Sequence, residues 1–217
     1  MTGPVRRAGL TLGLFAILAM GAVAWVERGT RERIDGNQRR TLLHTLDQVL
    51  AAEEYDNDIV SDVIEVKDLL PGPARPLPAF RARRHGQPVA VVLAPVAADG
   101  YGGDIRLLAA VRGDGSLAGV RVLAHRETPG LGDAIDAAKS GWILRFRGRS
   151  LADPPEPQWK VKRDGGAFDQ FAGATVTPRA VVNALRNTLR YVRSHWTELF
   201  DRPSSATAAP LAELAER

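Results

Sequence analysis

The sequence predicts an α+β domain with an antiparallel sheet and flanking helices, preceded by one apolar helix. The chain has 217 residues, which is enough for a single domain with its own core once a terminal anchor is set aside. Runs of alternating apolar and polar residues, separated by turn residues, indicate strands. A long amphipathic pattern follows them without any βαβ repetition, and this order favours an antiparallel sheet.

The first predicted element is a membrane anchor. The stretch Ala8 to Trp25 is uncharged, and as a helix it would span about 27 Å, close to the thickness of the bilayer hydrocarbon core. A cleaved signal peptide is the alternative, because Ala22-Val23-Ala24 has the small-x-small form of a cleavage site. The length of the apolar stretch and the interfacial position of Trp25 favour a retained anchor.

The elements after the anchor are predicted from the spacing of apolar residues. An amphipathic helix is expected from Gln38 to Ala52, with leucine and valine on one face. Proline-rich residues 71–78 then interrupt regular structure. Alternation predicts strands at Ala79–Arg84, Pro88–Ala94, Ile105–Arg112, Leu117–His125 and Trp159–Lys162. The sequence Gly113-Asp114-Gly115 predicts a hairpin turn between the third and fourth of these.

A long helix is predicted to close the domain. Thr177 is expected as its N-cap and Pro178 as its first residue. Arg179 stands in the first turn, where an acid would usually complement the helix dipole, so this end is expected to be open to an external anion. The apolar face comprises Val181, Leu185, Leu189, Val192, Trp196 and Leu199.

Two segments have the residue types of a ligand site. The Thr175 hydroxyl follows Gly173 and Ala174, whose small size leaves room for a bulky group to approach. The segment Glu127–Asp133 reads Glu-Thr-Pro-Gly-Leu-Gly-Asp, which predicts a tight turn whose backbone can come close to a flat ligand. Each segment alone is also compatible with an ordinary turn.

Composition excludes several other classes. The chain has no cysteine, so disulfides, thiolate zinc sites and iron–sulfur ligation are excluded. The four histidines lack metal-ligand spacing, and no metal is predicted. The net charge is +4, but basic and acidic residues are interleaved, so no nucleic-acid surface is expected. The densest basic cluster, Arg81 to Arg84, is interpreted as a solvated hairpin tip.

The segment from Asp169 to Arg179, Asp-Gln-Phe-Ala-Gly-Ala-Thr-Val-Thr-Pro-Arg, resembles the flavinylation segment of one redox family. This family comprises the FMN-binding G subunits of Rnf-type ion-translocating electron transport complexes, which are related to an FMN-binding subunit of the sodium-pumping NADH:quinone reductases. The Glu-Thr-Pro-Gly-Leu-Gly loop and Gly100-Tyr101-Gly102-Gly103 resemble the same family. Ala172 departs from the family, which usually has Ser or Thr there.

The resemblance implies a role for each matching residue. Thr175 would carry FMN through a phosphoester made by a separate flavin transferase. Asp169, Gly173 and Ala174 would form the recognition site of that transferase, and Thr177 would steady the phosphate. The loop residues that would lie against the flavin are Glu127, Thr128, Gly130, Leu131 and Gly132.

The function implied is electron relay by a flavoprotein subunit of an ion-translocating oxidoreductase. The chain has no dinucleotide-binding glycine pattern and is not expected to be catalytic alone. Other subunits of the membrane complex would supply substrate oxidation and the ion path. Two alternatives stay open: the equivalent subunit of a sodium-translocating NADH:quinone reductase, and a flavin-free anchored scaffold.

The predicted organisation has four parts. Residues 1–27 form a cytoplasmic tail and anchor, 28–60 a membrane-proximal helical segment, 61–200 the FMN-binding domain, and 201–217 a mobile tail. More arginines follow the anchor than precede it, so the charge count does not favour an exported domain. The family resemblance favours an exported domain, since it implies a single-pass protein of the bacterial inner membrane with its flavin domain on the periplasmic side.

Overall fold

The computed structural model describes residues 39–66 and 76–205, together with residues 3, 9, 12–16, 19–23 and 25. The chain divides into two compact units, Met1–Thr41 and Leu42–Arg217. In the first unit, the described residues between positions 3 and 25 are helical. The large apolar side chains Phe15 and Trp25 there are 75% and 79% exposed.

The predicted anchor, Ala8–Trp25, lies partly outside the described residues. Among the residues that are described, no helix is long and apolar enough to cross a bilayer. The membrane-proximal residues 28–38 and the tail beyond residue 205 also lie outside the described part of the chain.

A six-stranded antiparallel sheet forms the centre of the second unit. The strands are β1 (Val63–Val66), β2 (Leu77–Arg84), β3 (Gln87–Leu93), β4 (Val96–Gly100), β5 (Gly103–Arg112) and β6 (Leu117–Ala124). β5 is the central strand, with β3 paired to its residues 109–112 and β4 to residues 103–106. β6 pairs with it over 106–111 and therefore occupies the opposite edge.

Both faces of the sheet are buried, so strand residues of alternating orientation contribute to two separate cores. Val91 and Leu93 face the long helix α2 (Val176–Asp201) and a cluster of aromatic rings. Val92 and Ala90 face the opposite side, where Leu46 packs from the short helix α1, described from residue 39 to 47. Burying a leucine or valine of this kind contributes roughly 1.5–3 kcal/mol. Two covered faces explain why the strands are nearly continuous apolar runs.

The fold class is confirmed as an antiparallel sheet with flanking helices, and four predicted strands are present within one or two residues of their expected ends. The hairpin turn after Arg112 is also present, closed by the Gly115 amide donating to the Arg112 carbonyl over 2.9 Å. Residues 42–60, predicted as a separate segment, belong to the same compact unit as the sheet.

Three local predictions were wrong. The helix expected to reach Ala52 ends at residue 47 and is followed by a 3-10 turn, Ala52–Glu54. The strand expected at Trp159–Lys162 is instead a short connection between two 3-10 turns, Glu156–Gln158 and Lys162–Asp164, with one bridge, Val161 to Phe168. Its alternating burial imitates a strand although no ladder forms.

The third wrong prediction concerns the basic cluster. Arg81 is only 2% exposed rather than solvated at a hairpin tip. Its Nε donates to Asp62 over 2.7 Å, and its Nη1 donates to the Leu199 carbonyl at the end of α2 over 3.1 Å. The hairpin tip itself is His85-Gly86, both with positive φ.

Candidate functional site

The threonine predicted as acceptor stands directly before α2. Gly173 has φ +77°, a conformation that favours glycine, and the Ala174 amide donates to the Phe171 carbonyl over 3.2 Å. This turn leaves Thr175 half-buried, with its hydroxyl at the entrance of the helix. The helix begins at Val176, and Thr175 makes no capping hydrogen bond through its side chain.

The prediction that Thr177 caps the helix was wrong. Thr177 lies inside the first turn and is completely buried. Its hydroxyl donates to Glu127 Oε2 instead of bonding the helix backbone. Pro178 is consequently the third helical residue, where its missing N–H still costs no intrahelical bond.

Glu127 is the buried carboxylate that joins three segments of the site. It is 5% exposed. Its Oε2 accepts the hydrogen bond from Thr177, and its Oε1 accepts one from the Gly102 amide over 2.9 Å. Because buried carboxylates require such partners, this residue fixes the β4–β5 turn and the start of α2 relative to the 127–132 loop.

The 127–132 loop folds as the tight turn expected. The amides of Leu131 and Gly132 donate to the Thr128 carbonyl, both over 3.1 Å, while the Gly130 amide donates to Asp133 Oδ1 over 2.8 Å. A Cβ at Gly132 would lie 2.7 Å from Glu127 Oε2 and 2.9 Å from Thr177 Oγ1. Glycine is therefore required for the loop to approach the carboxylate.

These segments enclose an open cavity of about 340 Å³. Three of its side chains, Tyr101, Leu131 and Val176, are exposed apolar groups, at 75%, 44% and 41% exposure. The full lining is Tyr101, Glu127, Thr128, Leu131, Gly132, Gly173, Ala174, Thr175, Val176 and Thr177. Eight of the ten residues predicted for the site line this one cavity, although they come from segments distant in sequence.

Two predicted residues do not line the cavity. Gly130 is in the turn but does not line the cavity. Asp169 lies on another surface, where its carboxylate pairs with Lys162 Nζ over 2.6 Å and Arg145 Nη1 over 2.8 Å. The hydrogen bond from Lys162 and the nearby positive charges lower the pKa of Asp169 below its usual value.

Tyr101 was missed as a site residue. Its segment, Gly100 to Gly103, showed a glycine-rich turn, but nothing in that pattern indicated which side chain would face the cavity. The β4–β5 turn comes very close to the backbone at Arg126. A Cβ at Gly102 would lie 2.0 Å from the Arg126 carbonyl oxygen, so this contact requires glycine. The turn therefore packs against the 127–132 loop and carries Tyr101 to the cavity mouth.

The helix entrance carries an internal ion pair rather than an unpaired cation. Arg179 donates to both Asp164 oxygens, over 2.6 and 2.9 Å. This bidentate hydrogen bond lowers the pKa of Asp164 and raises that of Arg179. The Arg179 side chain is therefore already paired, and whether the backbone amides at the start of the helix receive an external anion stays a prediction.

Comparison with known proteins identifies the class that this domain and cavity define. Residues 100–190 match the family model described as an FMN-binding domain. Residues 1–49 match a second model, described as the RnfG N-terminal region. The first match contains the whole cavity, from Tyr101 to Thr177.

Several relatives bear one shared name, which describes each as the G subunit of an ion-translocating oxidoreductase complex. The protein of Pseudomonas aeruginosa is 52% identical over 186 residues, covering 85% of this chain and 87% of the relative. That of Shewanella loihica is 46% identical over 202 residues, with 93% and 95% covered. That of Vibrio cholerae is 42% identical over 204 residues, with 94% and 98% covered. The chain belongs to this family of G subunits, which confirms the resemblance.

Proposed function

We propose that this chain is a membrane-anchored flavoprotein subunit that relays electrons within an ion-translocating oxidoreductase complex. FMN would be attached through a phosphoester to Thr175. The observation that carries the proposal is the common cavity, in which the Thr175 hydroxyl and the 127–132 loop face one another within the domain that matches FMN-binding proteins.

The cavity suits a flat, amphipathic group. Its volume of about 340 Å³ falls within the range of small-ligand and cofactor sites. Leu131 and Tyr101 offer exposed apolar surface to a ring system, and the glycines at 132 and 173 keep the backbone accessible. FMN bound here would supply reversible electron transfer.

The chain's own residues would bind and orient the cofactor. Thr175 would be the tether, because it lines the cavity and its hydroxyl is not used as a helix cap. Thr177 would act indirectly, since its hydroxyl is committed to Glu127. Glu127 holds the walls in place, and the exposed Leu131 would lie against the ring.

Attachment would be carried out by a separate flavin transferase. The Thr175 oxygen would form a bond to phosphorus in an activated flavin nucleotide, while the phosphoanhydride bond to the leaving group breaks. The hydroxyl proton would pass to a base of the transferase. Asp169, which is partly exposed beside the segment, would belong to the surface that the transferase recognises.

The same proposal includes a single-pass anchor at residues 8–25 and a periplasmic flavin domain. It is supported by the uncharged stretch there and by the match of residues 1–49 to the RnfG N-terminal region. Partners would be the other subunits of the complex, as the relatives' shared name implies. That name favours this assignment over a subunit of a sodium-translocating NADH:quinone reductase.

Intact mass spectrometry of the full chain, coexpressed with a flavin transferase, tests the tether. The wild-type protein and a Thr197→Ala control should gain the mass of FMN less one water, and both should fluoresce in denaturing gels. Thr175→Ala should gain nothing. Thr197 is a matched control because it is an exposed threonine of α2 that does not line the cavity. Covalent flavin on Thr175→Ala would refute the tether, and its absence from wild type would favour a flavin-free scaffold.

A further inference from the structure

A turn of three charged residues is tied to the segment that contains Thr175. The 3-10 turn Lys162–Asp164 was not part of any site predicted from the sequence. Each of its side chains contacts a different residue of the acceptor segment or of the first turn of α2. The three contacts are Lys162 with Asp169 at 2.6 Å, Arg163 with Thr175 at 3.4 Å, and Asp164 with Arg179 at 2.6 Å.

The middle contact differs from the other two. Lys162 and Arg179 are each paired with a carboxylate. Arg163 instead directs Nη1 toward the Thr175 hydroxyl oxygen. Within the described part of the chain, no carboxylate oxygen lies within ion-pair distance of the Arg163 guanidinium. The guanidinium that contacts the Thr175 oxygen thus has a neutral hydrogen-bond partner, while its charge also acts on the adjacent Asp164 carboxylate.

The backbone of the turn is held on both sides of the Arg163 side chain. The Arg163 amide donates to Gln170 Oε1 over 3.3 Å, and Asp164 forms the bidentate pair with Arg179 at the start of α2. The hydrogen bond from Arg179 lowers the pKa of Asp164. A cation positioned before its ligand arrives loses less freedom on binding.

We propose that Arg163 binds the phosphate that joins FMN to Thr175. This inference rests on the proposed function of Thr175 as the tether. A phosphodiester carries one negative charge at neutral pH, and the planar guanidinium fork matches phosphate oxygens better than an ammonium does. A phosphoryl group on the Thr175 oxygen would replace a neutral partner of Arg163 with a charged one.

The same contact acts on the acceptor before attachment. Arg163 donates to the Thr175 oxygen, which orients the hydroxyl while leaving its own proton available to a base on the transferase. During transfer, Arg163 would stabilise the negative charge on the phosphoryl oxygens as the phosphoanhydride bond breaks. Arg163 is therefore both a positioning group for the free hydroxyl and a ligand of the product phosphate.

The test compares Arg163→Ala and Arg163→Lys with Arg193→Ala in the full, detergent-solubilised chain. Arg193 is an exposed arginine of α2 whose contact, to Glu156, is also 3.4 Å long. It lies about 27 Å along the helix from Thr175. Purified flavin transferase and its flavin nucleotide are added, and the initial rate of covalent labelling is followed by intact mass. We expect Arg163→Ala to lower this rate at least about tenfold, from the loss of one charged hydrogen bond. Arg163→Lys should be intermediate and Arg193→Ala unchanged.

Phosphorus-31 NMR of the loaded proteins gives a readout independent of the transfer rate. The phosphodiester resonance should shift in Arg163→Ala relative to wild type and remain unchanged in Arg193→Ala. Equal labelling rates for Arg163→Ala and Arg193→Ala would overturn the proposal. If Arg163→Ala were labelled more slowly but its phosphodiester resonance did not shift, the proposal would also be overturned. Arg163 would then contact the transferase rather than the phosphate.

Failure of the tether itself would look different. In that case wild type would gain no covalent flavin, or Thr175→Ala would still be labelled. A labelled wild type, an unlabelled Thr175→Ala and a fully active Arg163→Ala would refute the role of Arg163 alone.

Discussion

At the scale of single residues, the buried carboxylate of Glu127 determines whether the cavity keeps its walls together. It is held by one side-chain and one backbone donor, Thr177 Oγ1 and the Gly102 amide. These donors belong to different segments, so the loss of either bond would loosen one wall relative to the loop.

Replacing Glu127 with glutamine should destabilise the domain. Glutamine can accept from the Gly102 amide and donate from its NH2 group to Thr177 Oγ1, but the buried hydroxyl proton of Thr177 then loses its carboxylate acceptor. We expect the free energy of unfolding to fall by about 1–3 kcal/mol. Chemical unfolding followed by tryptophan fluorescence measures the change. Glu198→Gln, at an exposed position on α2, is the control. Equal unfolding midpoints for the two variants would show that the hydrogen bonds of Glu127 add no stability.

The two threonines of the acceptor segment show how far sequence reasoning reached at this scale. The choice of Thr175 followed from its small neighbours and from the family resemblance. The assignment of Thr177 as the cap followed from local preference for Thr before Pro, and it failed because the partner of Thr177 lies fifty residues earlier in the chain. Arg163 was missed for the same reason, since a turn residue twelve positions away has no local signature of contact with a hydroxyl.

At the scale of elements, the end of α2 is attached to the sheet by one network of charges. Arg81 on β2 contacts both Asp62 and the carbonyls that end the helix. Burial raises the pKa of Asp62, but hydrogen bonds from Arg83 and Ser204 and the charge of Arg81 outweigh this effect, so its pKa lies below the usual value. Ionised Asp62 therefore stabilises the folded state.

Asp62→Asn should cost stability at neutral pH and reduce the sensitivity of the protein to acid. Breaking this part-buried pair should cost about 1–3 kcal/mol. Because the folded pKa is below the unfolded value of about 3.9, the contribution is complete above about pH 5 and is lost as pH falls through the folded pKa. Chemical unfolding of wild type and variant between about pH 7 and 3 measures the difference, which should shrink with acid. A difference independent of pH would contradict it. Asp99→Asn, at an exposed position, is the control.

Alternating patterns predicted the long strands well but not the short ones. β3, β5 and β6 are rich in β-branched and apolar residues, and burial on both faces reinforces their preference. β4 reads Val-Ala-Ala-Asp-Gly and is a strand because β5 supplies its hydrogen bonds. Near Trp159 a strand was predicted that does not form. Two buried residues alternate there with exposed lysines, but no neighbouring strand pairs with them.

At the scale of the whole molecule, the sheet belongs to both hydrophobic cores. Val91 contributes to one core and its neighbour Val92 to the other. The two cores therefore share a backbone, and disruption of the sheet would expose both.

A chain beginning at residue 39 should remain in the aqueous fraction and unfold in a single transition, whereas the full chain should require detergent. The difference in solubility follows from the proposed anchor, and the single transition follows from the shared sheet. Tryptophan fluorescence, reporting on buried Trp159, and far-ultraviolet circular dichroism should give coincident unfolding curves. Two separated transitions would show that the cores unfold independently, and a full chain that stays in solution without membranes or detergent would argue against the anchor.

The joining of distant segments at Glu127 also has a consequence for timing during biosynthesis. Tyr101 and the 127–132 loop are synthesised well before Thr177. The Thr177 hydroxyl completes the hydrogen bonds of the Glu127 carboxylate. Until α2 begins to emerge from the ribosome, the early segments can contact each other, but the Glu127 carboxylate lacks its second donor. The cavity is thus one of the last features of the domain to mature, and loading of the proposed cofactor would mark chains that have already finished folding.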